Sequence, residues 1–497
     1  MSNSNELFEA AKNGHVDIVT ELLAKKDIDI NKATTYDGAT PLYIAAQEGH
    51  GNIVALLLEH NADPNKARTA NGATPMYAAA QDGHVEAVAL LLGHNADPNK
   101  ATTDYRATPM FIAAHQGHVE AVALLLEHGA DPNKTVTYNG STPLFIAAQT
   151  GHVEVVAKLL EHKVDPNKAT TDNGATPLFI AAQKGHVKAV AVLLENNADA
   201  NKALTNGVTP MCIAAQNDKV DVVNALLKYG AVVNECRTDG ATPLYFAAEK
   251  NHFNVVNALL THKYKKNKIN PNQARTDNGA TPLYIAAQKG YVDIVTELLK
   301  HGAYVNECRT DNGATPLFAA AFFDHVEVVT KLLEHGALPN KALTTNGYTP
   351  LYVAVQEDNV EVVRLLLKAP RIDVNKATDT GETPLFIATL GGHVEVVKLL
   401  LDHGVDIWTV TTNGKTPLDV VANDHIEKLL YNSQSRSPPD FTYLANATTA
   451  GLKKRKKTSK KGKKKKQKSV KRKIMRKKPK SIKKNKSVKK NNTRKKK

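Results

Sequence analysis

The residues best able to do chemistry in this 497-residue chain are its 19 histidines and three cysteines. In a cluster, such a set would suggest metal binding or acid–base catalysis. Their spacing argues for neither. His15, His50, His84, His118, His152, His186, His252, His325 and His393 recur at one site of a repeating pattern. His60, His94, His128, His162, His262, His301, His335 and His403 recur at a second. His425 is a shifted version of the first site, and His115 alone falls outside the pattern. A side chain that recurs with a repeat serves the repeat, so hydrogen bonding between adjacent loops is its expected role. No His-Glu-x-x-His, Gly-x-Ser-x-Gly or phosphate-loop sequence occurs. Neither a catalytic centre nor a cofactor or metal is expected.

Cys212, Cys236 and Cys308 are odd in number and spaced unlike zinc or redox motifs, so no disulfide framework is expected and a reducing compartment fits best. Cys236 and Cys308 lie in matching Asn-Glu-Cys-Arg-Thr-Asp segments where other units read Asn-Lys-Ala-Thr-Thr. There each thiol is a small apolar exchange for alanine.

The elements that carry these residues follow from a stricter period. Thr-Pro occurs twelve times, from Thr40 to Thr416, at intervals of 33 or 34 residues and one of 39. In the unit around Thr176, the threonine is a natural N-cap and Pro177 a natural first helical residue. Ala181 and Ala182 permit close helix packing, and the helix should stop at Gly185. That stop position holds only Gly, Asn or Asp in eleven units, including Asp218, Asn251, Asp324 and Asp358. These residues tolerate positive φ, so a left-handed helix terminus is expected. A second helix follows, with an apolar stripe such as Val153, Val156, Leu159 and Leu160, then an Asp-Pro-Asn turn. One such pair cannot bury its apolar face alone; stacking supplies the core.

Gly-x-Thr-Pro-Leu, Ala-Ala, Gly-His, Val-Val, Leu-Leu and Gly-Ala-Asp, recurring in order from residue 5 to about 431, resemble the ankyrin repeat. The His of that family's Thr-Pro-Leu-His is missing. Aromatic residues stand there in ten units, from Tyr43 to Phe386, with Cys212 and Asp419 in the others. The resemblance implies an all-α repeat solenoid with hairpin fingers, whose first helices and finger tips line a concave face for protein partners. The expected organisation is a capping repeat over 1–32, twelve units over 33–431 ending in a C-terminal cap, a linker over 432–451 and a disordered basic tail over 452–497.

Charge divides along the same lines. The formal net charge is +16, yet residues 451–497 hold 28 Lys and Arg and no acid, while the remainder holds 37 bases against 49 acids, a net of −12. The runs Lys453, Lys454, Arg455, Lys456 and Lys457, then Lys463, Lys464, Lys465 and Lys466, then Lys471, Arg472 and Lys473, resemble nuclear or nucleolar localisation signals. The same lysines suit non-specific phosphate contact, without aromatic residues for base stacking. An importin-type receptor, a nucleic acid and an anionic membrane are the alternative partners of the tail, and a solubilising role is the plain one.

Function in a repeat array lies in departures from its own pattern. A row of glutamines at the end of the first helix is broken by Phe322 and Leu390, with Phe323 beside the first and Tyr348 on the hairpin between them. These four are candidate protein-binding anchors; the competing reading tucks Phe322 and Phe323 into the core between repeats. The 39-residue interval adds a basic stretch from Lys263 in a finger loop. Arg106 replaces the hairpin glycine present in the other eleven units, which should distort one finger. The N-terminus lacks a signal peptide's apolar run, and no stretch approaches 18 apolar residues. The expected protein is a non-enzymatic, monomeric scaffold in nucleus or cytoplasm, with the tail favouring the nucleus. The alternative is a nucleic-acid-associated protein whose tail binds DNA or RNA while the repeats recruit partners.

Overall fold

A computed structural model of the chain describes residues 3–434, apart from 26, 34, 35, 236 and 263–267. The linker from residue 435 and the basic tail, with every lysine and arginine singled out there, lie outside the described residues. By packing, residues 1–429 form one compact unit. The described residues form twenty-five α-helices and one 3-10 turn, with no strand. The helices come in pairs stacked in chain order, an all-α repeat solenoid. Repeats are numbered here by their Thr-Pro, so repeat 1 starts at Thr40 and repeat 12 at Thr416.

Each first helix begins as its sequence demands. In repeat 5, Thr176 is extended at φ −94° and its hydroxyl accepts the N–H of Phe179 at 3.1 Å. Pro177 opens the helix Pro177–Lys184. The same cap recurs at each Thr-Pro through Thr383, and such caps contribute about 1 kcal/mol each. The stop is left-handed in all eleven repeats: φ is 86° at Gly185, and 56° to 63° at Asp218, Asn251, Asp324 and Asp358. First helices pack closely on their neighbours along the stack, with alanines such as Ala181 and Ala182 fully buried between them. Second helices form a looser row, burying stripes such as Val155, Val156, Leu159 and Leu160.

The array ends differ from its middle. The helices Asn3–Lys12 and Val16–Leu23 form the N-terminal pair without a Thr-Pro start. In repeat 12 the first helix shrinks to the 3-10 turn Pro417–Val420, where Asp419 accepts from both the N–H and the hydroxyl of Thr416 at 3.0 Å. The last helix, Asp424–Gln434, runs past residue 431.

Two expectations change. Residues 263–267, where the basic insertion starts, lie outside the described residues, and beyond them Arg275 N bonds Ala280 O at 3.0 Å across a regular hairpin. Arg106 does not distort its finger. It adopts φ 57°, close to the glycines it replaces, and Thr102 N still bonds Ala107 O at 3.0 Å. Cys212 is disulfide-bonded, correcting the expectation of unbridged thiols. It occupies the helix position that elsewhere packs against the next finger, a proximity that spacing along the chain does not reveal. Cys308 is free and half-buried, and Cys236 lies outside the described residues.

Candidate functional site

Most recurrent polar groups of the array are consumed between repeats. At six of the nine first-site histidines, Nε2 meets a backbone carbonyl of the preceding repeat at 3.0–3.1 Å, for example His118 to Gln81, His152 to His115 and His186 to Gln149. A carbonyl only accepts, so Nε2 carries the proton. At the second site, Nδ1 donates to the carbonyl four residues earlier, closing the end of the second helix, as in His60 to Leu56 at 2.8 Å and His128 to Leu124 at 2.9 Å. Among the described residues no group of His, Cys, Asp or Glu could hold a metal ion. His115 takes a place in the glutamine row, with Nδ1 buried and unpartnered.

A second clamp was missed in the sequence. The Asn of three of the four Asp-Pro-Asn turns reaches the following repeat. Asn99 Oδ1 accepts the N–H of Asp131 at 2.7 Å, and its Nδ2 donates to the carbonyl of left-handed Gly129 at 3.3 Å. Asn65, Asn167, Asn272 and Asn306 make the same two bonds. Asn234 bonds Asn270 N and Lys268 O at 2.8 and 2.9 Å, holding this clamp across the insertion. The signal is in the sequence: Asn recurs there nearly as regularly as Thr-Pro, and turn chemistry alone does not require that period.

The aromatic position that replaces the family's His anchors the next finger. Arg68 lies over the Tyr43 ring at 5.1 Å and pairs with Asp37. Arg275 and Arg309 lie over Tyr245 and Tyr284 at 5.5 Å. Arg275 pairs with Asp239 at 2.9 Å and Asp277 at 2.6 Å, which holds the Asp277 carboxyl below its ordinary value. Burial pushes the Tyr77 hydroxyl up to about 12, so it is a neutral donor at physiological pH.

What remains unconsumed lies on the face of first helices and fingers. Gln47, Gln81, Gln149, Gln183, Gln216 and Gln288 are half-buried, and among the described residues their side-chain amides have no hydrogen-bond partner. The departures from that row divide. Phe322 is 7 % exposed and meets Phe323 edge-on at 4.8 Å. Phe323 is half-buried and stacks on His325 at 6.2 Å. Tyr348 packs on Tyr352 at 4.4 Å, whose hydroxyl donates to Glu382 at 2.9 Å. Leu390 is half-buried. The best-exposed aromatic pair is elsewhere: Tyr105 and Tyr138, at 59 % and 71 % exposure, meet edge-on at 6.3 Å on the tips of fingers 3 and 4. Tyr304 and Leu338 are also exposed, in matching turns that carry Asp in other repeats.

The family model for ankyrin repeats (three copies) matches overlapping windows from residue 7 to residue 436. The chain belongs to the ankyrin-repeat family, whose members are typically non-enzymatic protein-interaction modules. No curated protein matches it. Among the described residues no helix is long and apolar enough to cross a membrane.

Proposed function

We propose that this chain is a non-enzymatic scaffold that holds a protein partner on the face of its first helices and fingers, with the basic tail serving nuclear targeting or polyanion contact. One observation carries the first part. The polar groups that recur on the second-helix side are mostly spent, between repeats or on their own helix ends, while the glutamine amides and finger-tip tyrosines on the first-helix and finger side are free. Free donors, acceptors and aromatic rings on a rigid frame are what partner recognition uses. Phe322, Phe323, Tyr348 and Leu390 are a second candidate patch on that face, with Phe323, Tyr348 and Leu390 supplying its accessible part.

The charge division supports a second reading, in which the tail binds DNA or RNA and the repeats recruit partners. Truncation after residue 450 separates the two. On the scaffold reading, the truncated chain keeps its protein partner and loses nuclear accumulation. Nucleic-acid binding should disappear with the tail, and in the full chain it should fall about 10³–10⁵-fold between 50 and 200 mM salt if six to ten phosphates are met. Retention of nucleic acid by the truncated chain at physiological salt would refute this division of roles.

A further inference from the structure

Asn-Gly occurs nine times in the chain, eight of them at finger tips. The pair carries chemistry of its own. The glycine nitrogen lies one ring closure from the asparagine amide carbon, and without a Cβ it is open to approach. What holds that nitrogen decides whether the ring can close. At seven tips the glycine N–H donates to a carbonyl three or four residues back at 2.8–3.2 Å, as Gly72 does to Arg68, Gly140 to Val136 and Gly279 to Arg275. Gly174, on finger 5, has no hydrogen-bond partner for its N–H among the described residues. The ninth pair lies at a helix end, where Asn13 ties its amide back to Glu9 O at 2.7 Å.

The difference is local. Among the Asn-Gly fingers of its length, finger 5 alone begins on a threonine, Thr170, where finger 4 has Val136. The Thr170 hydroxyl accepts the N–H of Ala175 at 3.0 Å and donates to Asn173 Oδ1 at 3.0 Å. Ala175 N–H is shared with Asn173 Oδ1, also at 3.0 Å. Two donors therefore converge on this oxygen, where Asn139 and Asn278 receive one each. Donors there stabilise the negative charge that the oxygen gains as a nitrogen adds to its carbon. Finger 5 also has room. A Cβ at Gly174 would stand 3.6 Å from Thr205 of the next finger, but at Gly140 and Gly279 it would come within 2.8 and 2.5 Å of theirs. Asn173 is exposed, so water reaches it. An uncommitted nucleophile, a polarised carbonyl and space coincide at this tip.

We propose that Asn173 is a site of spontaneous modification, at which the chain converts asparagine to aspartate and isoaspartate without an enzyme. Gly174 N adds to Asn173 Cγ, its proton passes through water to Nδ2, and the Cγ–Nδ2 bond breaks to release ammonia. The succinimide that remains takes up one water. Attack at Cγ leaves aspartate. Attack at the main-chain carbonyl carbon leaves isoaspartate, with the chain routed through the side chain. Either product adds a carboxylate beside Asp172. Isoaspartate also displaces the Asn173 carbonyl, which accepts Thr205 N at 3.0 Å, and so loosens finger 5 from finger 6. This site is independent of the partner-binding role.

The full chain is incubated at physiological pH and temperature and digested at intervals. Mass spectrometry then follows the amide-to-acid change at each Asn-Gly, with isoaspartate told from aspartate by fragmentation. A nitrogen that must first give up a hydrogen bond reacts about fivefold more slowly, so Asn173 should lead every other tip asparagine by about that factor or more. Thr170→Val gives finger 5 the residue of finger 4 and should slow Asn173 toward the rate of Asn139. Val136→Thr should speed Asn139. In urea, with the fold removed, the spread among the tips should collapse. Amide exchange at Thr205 should quicken as isoaspartate accumulates. The proposal is overturned if Asn173 reacts no faster than the other tips, or if neither substitution changes its target's rate. A lead that persists in urea also overturns it, because the sequence alone would then explain the rate. Unchanged exchange at Thr205 in the isoaspartate form overturns the loosening of the two fingers.

Discussion

The finger tips of repeats 3 and 4 and the helix ends of repeats 9 to 11 break the repeat pattern in the same way, by placing large apolar or aromatic side chains where small or polar ones are usual. They reach opposite environments. Phe322 ends a first helix, and its ring turns into the packing between repeats. Tyr105 and Tyr138 sit at hairpin tips, where only the neighbouring tip is within reach, and their rings stay in water. The same kind of sequence departure is therefore buried in one place and left in water in the other. The position in the repeat decides which.

This contrast is tested first by Phe322→Ala. It should cost about 3 kcal/mol, in the range of other buried aromatic truncations, seen as a lower urea midpoint and faster amide exchange in repeats 8–10. An unchanged midpoint would place Phe322 with the finger-tip tyrosines. Asn99→Ala removes two bonds between repeats and leaves the Asp131 N–H without its partner; a loss of about 1–2 kcal/mol is expected. A smaller loss would mean that water replaces the clamp. At the tips, Arg106→Gly should raise stability by about 1 kcal/mol, whereas Tyr138→Ala should lie within about 0.5 kcal/mol of the parent. A destabilising Tyr138→Ala would show that the tip rings are structural after all. The smallest effect is electrostatic. Arg275 lowers the folded-state value of the Asp277 carboxyl, so its stabilisation is present above the ordinary carboxylate value and is lost as pH falls through the folded one. The stability gap between the parent and Asp277→Asn should close below about pH 4. A gap that persists at pH 2 would rule out that charge pairing.

Much of the fold was legible because it is local. Thr176 next to Pro177 starts a helix wherever it occurs, and Gly, Asn or Asp at the stop position ends one, since both effects depend on a few neighbouring backbone groups. The two histidine series were legible as structural because they kept step with the repeat. The Asn99 clamp was less so. Its partners, Gly129 and Asp131, lie about thirty residues away, and only stacking brings them within 3.3 Å. Cys212 is a like case, since its disulfide is not read from the spacing of the cysteines.

By itself the sequence determined the repeat, the helix caps and the separation of an acidic part from a basic tail. These follow from short-range backbone preferences and from counting. Only the tertiary structure decided which departures face inward and which face out. Phe322 and Tyr138 are both aromatic breaks in a period, and no property of either residue distinguishes them. The stacked neighbour does: it covers the end of a helix and leaves the tip of a finger bare, so burial, and with it the choice between core and contact, belongs to the assembled array.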